Sequence, residues 1–318
     1  MQHLGDPDGR EELLVLRALK LGDLLVSVPG IKALRRAFPE HRLILAMPGW
    51  LEPIIDLVPG VDALLPTPGL DHPLPLPAGR IDTAVNFHGN GPESRGALEL
   101  LQARRRIGHA SPGWDGPEWR DDINERERWA RLVREHGYEA DAADVAIDVP
   151  ETPSVRPGAA VLHVGAFYGS REWPVERFGA VARAMIEEGR EVVFSGSAKE
   201  RPRALAAAEA AGASESAVLA GELDLSGFAA LIADASVVVS ADTGAAHLAT
   251  AYRRPSVVIF GPAEPRHWGP PADGPHVVLT DESLRVGDTF GSEPDPALLA
   301  VTVDDVLEAV DGLTARRD

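Results

Sequence analysis

Residues 235–261 read ASVVVSADTGAAHLATAYRRPSVVIFG, and this stretch decides the fold. The run at 237–239 is short, apolar and β-branched, as in a strand buried on both faces of a parallel sheet. Asp242 and Thr243 then form a polar turn suited to a helix N-cap, and helix formers follow. A second apolar run begins at Ser256. The stretch therefore predicts a strand, a turn, a helix and a further strand.

Such a turn directs backbone N–H groups and the positive end of a helix dipole beyond the carboxyl end of the strand, where open α/β sheets bind ligands. A phosphate-bearing ligand is the natural occupant. The alternative is that Asp-Thr-Gly at 242–244 is an ordinary helix cap. His247 lies one turn into the helix and can either reach the same ligand or simply pack.

Length and composition indicate a globular protein of two domains. The chain has 318 residues, of which 44% are hydrophobic and 25% charged. The absence of cysteine excludes disulfides, thiolate metal sites and cysteine nucleophiles. We expect a cytoplasmic protein, because the first residues lack the pattern of a signal peptide and no apolar run is long enough to span a bilayer.

The charge argues against polyanionic partners. The formal net charge is −18, and acidic residues outnumber basic ones in both halves of the chain. We therefore expect no nucleic-acid binding and at most peripheral contact with a membrane. An anionic ligand would have to be held by local donors.

Closer to the N-terminus, Glu12 to Arg17 predicts a buried strand, and Leu24 to Phe38 has helical periodicity. Asp23 falls at the start of that helix, at the carboxyl edge of the sheet. There it can be a favourable cap, or a carboxylate placed to act as a general base.

The other motifs are weaker. The run His88 to Pro92 lacks the third glycine of a dinucleotide fingerprint, and no Walker sequence is present. Arg104, Arg105 and Arg106 can bind an anionic acceptor, or they are the solvated end of a helix over Ser94 to Ala103. The ten histidines form no recognisable metal motif, so we expect no metal site.

Proline and acidic residues between Val149 and Gly158 mark a domain boundary. Strands alternate with helices on both sides of it, which predicts two α/β domains with mostly parallel sheets, at 1–155 and 156–318. The last residues, Val303 to Asp318, predict a terminal helix, which we expect to pack back on the N-terminal domain.

Specific strings within this framework resemble glycosyltransferase family 9, the heptosyltransferase family. They are LVLRALKLGDLLVSVPGIKALRRAFP, HGNGPESR, RRRIG, SREWP, VVVSADTGAAHLA and FGPAEP. They span nearly the whole chain. The resemblance implies the GT-B architecture, in which two Rossmann-like domains face each other across a cleft, the first binding the acceptor and the second a nucleotide-sugar donor.

The resemblance also implies an activity. It is the metal-independent transfer of a heptose from a nucleotide-linked donor, usually ADP-linked, to an acceptor hydroxyl, with inversion at the anomeric carbon and no further cofactor. Asp23 matches the family's catalytic aspartate. Arg171 stands where the family often has lysine and would bind the diphosphate. The implied donor-binding residues are Arg171, Glu200, Asp242, Thr243, Gly244, Ala245, Ala246 and His247.

The acceptor is less defined. Asn90 and the three arginines at 104–106 are the candidate acceptor-binding residues, and the acceptor is a glycan or a small molecule. Because the N-terminal half is net negative, we expect an acceptor less anionic than lipopolysaccharide core. The alternatives are a nucleotide-sugar epimerase or hydrolase of the same fold, and a two-domain protein that binds a nucleotide-sugar without chemistry.

Overall fold

In a computed structural model, the protein is described over residues 2–315. The chain divides into two compact units, one ending at Asp148 and the other beginning at Val149. Each unit contains a parallel β-sheet with helices, which confirms the predicted α/β class.

The first unit carries a six-stranded sheet in its described residues, in the order β1-β4-β3-β2-β5-β6, and every pairing is parallel. Its strands are β1 (Gln2–His3), β2 (Glu12–Leu16), β3 (Arg42–Met47), β4 (Ala63–Pro66), β5 (Thr83–Asn86) and β6 (Arg105–Ile107). Its helices are α1 (Leu21–Ala37), α2 (Glu52–Ile55), α3 (Pro92–Glu99) and α4 (Glu125–Glu135).

This order places a topological switch point in the middle of the sheet. The chain runs outward from β2 to β3 and β4, then returns to build β5 and β6 on the other side of β2. Strand β2 is buried along its whole length, as its apolar sequence predicts. The carboxyl ends of β2 and β5 therefore flank the position where doubly wound sheets bind ligands.

The second unit has a five-stranded parallel sheet in its described residues, in the order β11-β10-β9-β7-β8. Its strands are β7 (Ala160–His163), β8 (Val192–Ser195), β9 (Val237–Ala241), β10 (Ser256–Ile259) and β11 (His276–Leu279). Its helices are α5 (Val175–Glu187), α6 (Arg201–Ala211), α7 (Leu225–Ala233), α8 (Gly244–Ala251), α9 (Pro265–Trp268), α10 (Pro296–Leu299) and α11 (Val303–Thr314). Here the switch point lies between β7 and β9.

Helix α11 belongs to the core of the second unit. Its apolar side, with Val306, Val310 and Leu313, is buried there and contacts α5, β10 and β11. The expected contact of this helix with the N-terminal domain stays a prediction. Residues 316–318 of the predicted helix lie outside the described residues.

The position of the three adjacent arginines excludes one of their two interpretations. Arg105 and Arg106 lie on the edge strand β6, and Arg104 comes just before it, so they are not the end of a helix. Helix α3 ends earlier, at Glu99.

None of the helices within residues 2–315 has the length and apolarity needed to cross a membrane.

Candidate functional site

In the first unit, Asp23 lies in the first turn of α1, directly after β2. Its Oδ2 accepts a hydrogen bond from the backbone N–H of Lys20 at 3.2 Å, which caps the helix. Its Oδ1 accepts one from Arg17 Nη2, also at 3.2 Å. The side chain remains 24% exposed. Each oxygen thus keeps a lone pair, so capping and general-base action are compatible.

Arg17 holds this carboxylate in place. The side chain is 2% exposed, and its guanidinium also donates to the backbone carbonyls of Asp23 and Phe87. It lies 4.6 Å from the ring centroid of Trp129. Burial lowers the pKa of Arg17, and the nearby Asp23 opposes that shift. Sequence reasoning missed Arg17 as a functional residue.

Trp129, which contacts Arg17, belongs to an aromatic stack with Trp119 and His109. The ring centroid of Trp129 is 6.4 Å from that of Trp119 and 6.0 Å from that of His109. His109 is 2% exposed, and neither of its ring nitrogens has a hydrogen-bond partner among the described residues. Burial, together with nearby cationic groups, lowers the pKa of His109 to about 4. The imidazole is therefore neutral at pH 7.

His88 and Asn90, which follow β5, lie at the same edge of the sheet as Asp23. Asn90 accepts hydrogen bonds from Arg95 through its backbone oxygen and its side chain. His88 Nδ1 is shielded from solvent and has no partner among the described residues. Burial and the charge of Arg17 lower the pKa of His88. His88 is a second group that sequence reasoning did not select, although its place after a strand was visible.

Arg104 lies at the opposite, amino-terminal edge of this sheet. Its Nη2 is 2.6 Å from a carboxylate oxygen of Asp82 and 3.1 Å from one of Glu11. With His41, these two carboxylates form a cluster that could hold a metal ion, although none was expected from the sequence. A guanidinium already neutralises both acids.

The other two arginines contact their own unit. Arg105 donates to the Tyr138 hydroxyl at 3.0 Å, and Arg106 lies 5.7 Å from the ring centroid of Trp114. The structure therefore does not bring the arginines at 104–106 together with Asp23.

In the second unit, the predicted turn connects β9 to α8, with Thr243 as the N-cap residue. The N–H groups of Gly244 and Ala245 precede the first helical hydrogen bond and have no intrahelical acceptor. The N–H of Ala246 already donates to Thr243 O at 3.1 Å. The methyl groups of Ala245 and Ala246 are buried, so these residues can offer only backbone to a ligand.

Asp242 lies at the centre of this site. Its side chain is 4% exposed, and Oδ2 is 3.4 Å from Arg171 Nη1. The same guanidinium nitrogen donates to Asp242 O at 3.2 Å. On the other side, His247 Nε2 lies 3.6 Å from Asp242 Oδ1. The structure thus brings together three of the predicted donor-binding side chains.

Several polar atoms in and next to this turn lack a hydrogen-bond partner among the described residues. They are Thr243 Oγ1, Arg171 Nε and Ser240 Oγ, and all three are shielded from solvent. Buried polar groups are normally satisfied, so such orphans call for an additional partner. A diphosphate would supply acceptor oxygens for the guanidinium and for the N–H groups of α8.

Glu200 lies after β8, in a short 3₁₀ turn before α6. Its Oε2 accepts a hydrogen bond from the backbone N–H of Ser197 at 2.6 Å. Gly165 makes room for it, because a Cβ added at Gly165 would lie 2.4 Å from this oxygen. His163, at the end of β7, bonds Ser195 Oγ through Nδ1 at 3.0 Å, and burial lowers the pKa of His163 to about 4.

Solved structures show the type of fold. The E. coli ADP-heptose LPS heptosyltransferase II is 22% identical, with a TM-score of 0.77 and coverage of 96% of this chain and 99% of that one. A glycosyltransferase family 9 protein of Veillonella parvula gives a TM-score of 0.78 at 18% identity, covering 96% and 97%. The fold is the GT-B type shared by these glycosyltransferases.

The model of glycosyltransferase family 9 (heptosyltransferase) matches residues 122–285, just over half of the sequence. The chain therefore belongs to glycosyltransferase family 9 and is an enzyme of the heptosyltransferase type. Lipopolysaccharide heptosyltransferase 2 of Salmonella typhimurium is 24% identical, over 95% of this chain and 98% of its own. These matches confirm the family indicated by the sequence motifs.

Proposed function

We propose that this enzyme transfers a heptose from ADP-heptose to an acceptor hydroxyl, with inversion and without a metal ion. The observation that carries the proposal is the cradle formed by Arg171, Asp242 and the start of α8. There the Arg171 guanidinium contacts Asp242, and Arg171 Nε and Thr243 Oγ1 have no hydrogen-bond partner among the described residues. The relatives support heptose as the sugar, since the structurally similar E. coli heptosyltransferase WaaC has been solved with ADP-2-deoxy-2-fluoro heptose.

In this proposal the second unit binds the donor. Arg171, Thr243 and the N–H groups of Gly244 and Ala245 hold the diphosphate, and their interaction with it strengthens as the leaving group gains charge. Asp242 accepts hydrogen bonds from sugar hydroxyls, with His247 as its neighbour. Glu200 accepts them from the ribose. These positive and dipolar groups supply the charge stabilisation that a divalent cation provides in other transferases.

Asp23 of the first unit acts as the general base. As the acceptor oxygen forms its bond to the anomeric carbon, its proton passes to the Asp23 carboxylate, and the bond from that carbon to the diphosphate breaks. ADP leaves with the electron pair. One displacement inverts the anomeric centre, so one carboxylate is sufficient. Arg17 keeps that carboxylate oriented.

The acceptor in this proposal is a glycan or small molecule less anionic than lipopolysaccharide core, because acidic residues outnumber basic ones in the N-terminal half. The structure adds support, since the arginines at 104–106 are engaged in contacts away from Asp23. The location that goes with this reaction is the cytoplasm.

The test is Asp23→Asn, which keeps the size of the side chain. We expect ADP affinity by calorimetry to stay within about twofold, while turnover of ADP-heptose falls by about two orders of magnitude or more. Asp56→Asn, on the same unit, is the control. Chelation with EDTA should leave the rate unchanged.

Three results would contradict the proposal. Free or epimerised sugar formed at full rate without an acceptor would identify a hydrolase or epimerase. Unchanged turnover in Asp23→Asn would remove Asp23 as the base. A failure to bind ADP would remove the donor site.

A further inference from the structure

A nucleotide-sugar is a linear molecule, in which base, ribose, diphosphate and sugar follow one another. In the proposed function its ribose lies at Glu200, after β8, and its diphosphate lies at the start of α8, after β9. The sheet order is β11-β10-β9-β7-β8, so these two positions define a direction along the carboxyl edge. The sugar of the donor therefore continues past β9 toward the loop after β10, one strand spacing or about 4.8 Å away.

A pocket of about 590 Å³ lies in that direction, wholly within the second unit. Its walls are the segment 262–268, after β10, and the segment 282–289, after β11. The volume is within the usual range for small-molecule sites, roughly 300–1,000 Å³. None of the donor-binding side chains described above lines it.

The pocket adjoins the α8 cradle. Trp268, in the pocket wall, packs against a buried apolar cluster that includes Ala246 of α8. Its ring centroid lies 6.3 Å from that of His247, whose Nε2 is 3.6 Å from Asp242 Oδ1. A sugar bonded directly to a diphosphate at the start of α8 can therefore extend into this pocket.

The charges around the pocket are balanced. Glu264 lies 2.6 Å from Arg266, which neutralises it, so Glu282 and Arg285 remain as one charge of each sign. Arg285 is held by the backbone, since its Nε donates to Gly261 O at 2.8 Å. A lining without net charge suits an uncharged polyhydroxyl group, whereas the phosphates have their cation in the cradle.

Two neighbouring side chains of the lining suit the far end of a sugar. Trp268 is half-buried and offers the face of an indole to the apolar side of a sugar ring. His267 Nε2 is shielded from solvent and has no hydrogen-bond partner among the described residues. This nitrogen can donate to a hydroxyl or accept from one, depending on the tautomer.

We propose that this pocket binds the exocyclic end of the donor's sugar, and that His267 and Trp268 make the enzyme prefer a heptose to a hexose. The inference rests on the proposed function and deepens it. Asp242 binds the hydroxyls nearest the diphosphate, and the pocket binds the opposite end of the same sugar. A hexose has one carbon and one hydroxyl fewer, so it leaves the shielded His267 Nε2 unpaired, which costs affinity.

The experiment is calorimetry on the full chain without an acceptor, using ADP, ADP-mannose and ADP-heptose. The parent should bind ADP-heptose roughly tenfold or more tightly than ADP-mannose. His267→Phe keeps an aromatic ring and removes the hydrogen-bonding nitrogens, so it should lower that ratio about three- to tenfold. Trp268→Leu removes the indole face and should weaken the binding of both nucleotide-sugars about three- to tenfold.

ADP affinity should be unchanged in both variants, which also shows that they fold. The matched control is His72→Phe, the same replacement at an exposed histidine of the first unit, and it should alter none of the three affinities.

Three outcomes would overturn the inference. They are equal affinities of the parent for ADP-heptose and ADP-mannose, unchanged affinities for both nucleotide-sugars in the two pocket variants, and an equal loss of ADP and ADP-heptose binding in those variants. None of them alters the ADP binding of the parent or the effect of Asp23→Asn on turnover. Failure of the sugar pocket is therefore distinguishable from failure of the proposed function.

Discussion

The neutral, buried His109 makes the stability of the protein sensitive to acid. Its ring packs 4.8 Å from Trp119 and 6.0 Å from Trp129, between centroids. The pKa of His109 falls from 6.5 to about 4 on folding. Between these values the unfolded chain binds the proton and the folded chain does not, so stability is lost as the pH falls below 6.5. At pH 5 the linkage relation gives a loss of about 2 kcal/mol relative to pH 8.

His109→Phe keeps an aromatic ring and removes the titrating group. Because neither ring nitrogen of His109 has a hydrogen-bond partner among the described residues, the replacement sacrifices no observed bond. We expect the free energy of unfolding at pH 8 to change by less than about 1.5 kcal/mol. The loss between pH 8 and pH 5 should be about 2 kcal/mol smaller than in the parent.

The assay is urea unfolding at both pH values, monitored by tryptophan fluorescence. Trp119 and Trp129 pack against His109, so their fluorescence reports directly on the unfolding of this region. His72→Gln removes an exposed histidine and should leave the pH dependence unchanged. If His109→Phe loses as much stability as the parent between pH 8 and pH 5, the pKa of His109 is not depressed. The argument from burial would then be refuted.

Two further predictions concern the donor cradle. Arg171→Ala should weaken ADP binding roughly 10- to 100-fold, the usual value of a charge-assisted hydrogen bond, and Arg171→Lys should weaken it less because the charge remains. Calorimetry measures both, and equal affinities for the two variants would argue against a direct contact with the diphosphate. Gly165→Ala should displace the Glu200 carboxylate, since the new Cβ would lie 2.4 Å from its oxygen. ADP affinity should fall several-fold with little loss of stability, and unchanged ADP affinity would separate Glu200 from the ribose.

Local sequence patterns predicted the buried strands and the capped starts of the helices. The β-branched run of β9 and the turn after it lie where the sequence placed them, because strand, turn and cap depend on neighbouring residues. Helix α1 begins at Leu21, three residues before its predicted start, since Asp23 caps it from within its first turn. The family and the α/β class were therefore accessible from the sequence.

Features that depend on distant partners were not accessible. Arg17 gains its role from the Phe87 carbonyl and the Trp129 ring, and neither is close in sequence. Strand β6 has three residues, two of them exposed arginines, so no apolar period marks it. The amphipathic pattern of α11 predicts an apolar face but does not say which unit buries it.

A pocket of the second unit, lined by the segments 262–268 and 282–289, escaped sequence reasoning for a similar reason. Strand β11 is half-buried along its whole length at the edge of the sheet, so it lacks the apolar signature of β9. The loops after β10 and β11 contribute scattered polar residues to the pocket, and their common position appears only when the strands are aligned.

The walls of this pocket come from loops after the last two strands, whereas the α8 cradle is built by the middle of the same sheet. Natural variation can therefore remodel the peripheral loops without disturbing the central turn. Substitutions at Glu264, Glu282 and their neighbours should therefore change the shape of the pocket and leave the contact between Arg171 and Asp242 in place. Exchange of the loop 282–289 should do the same.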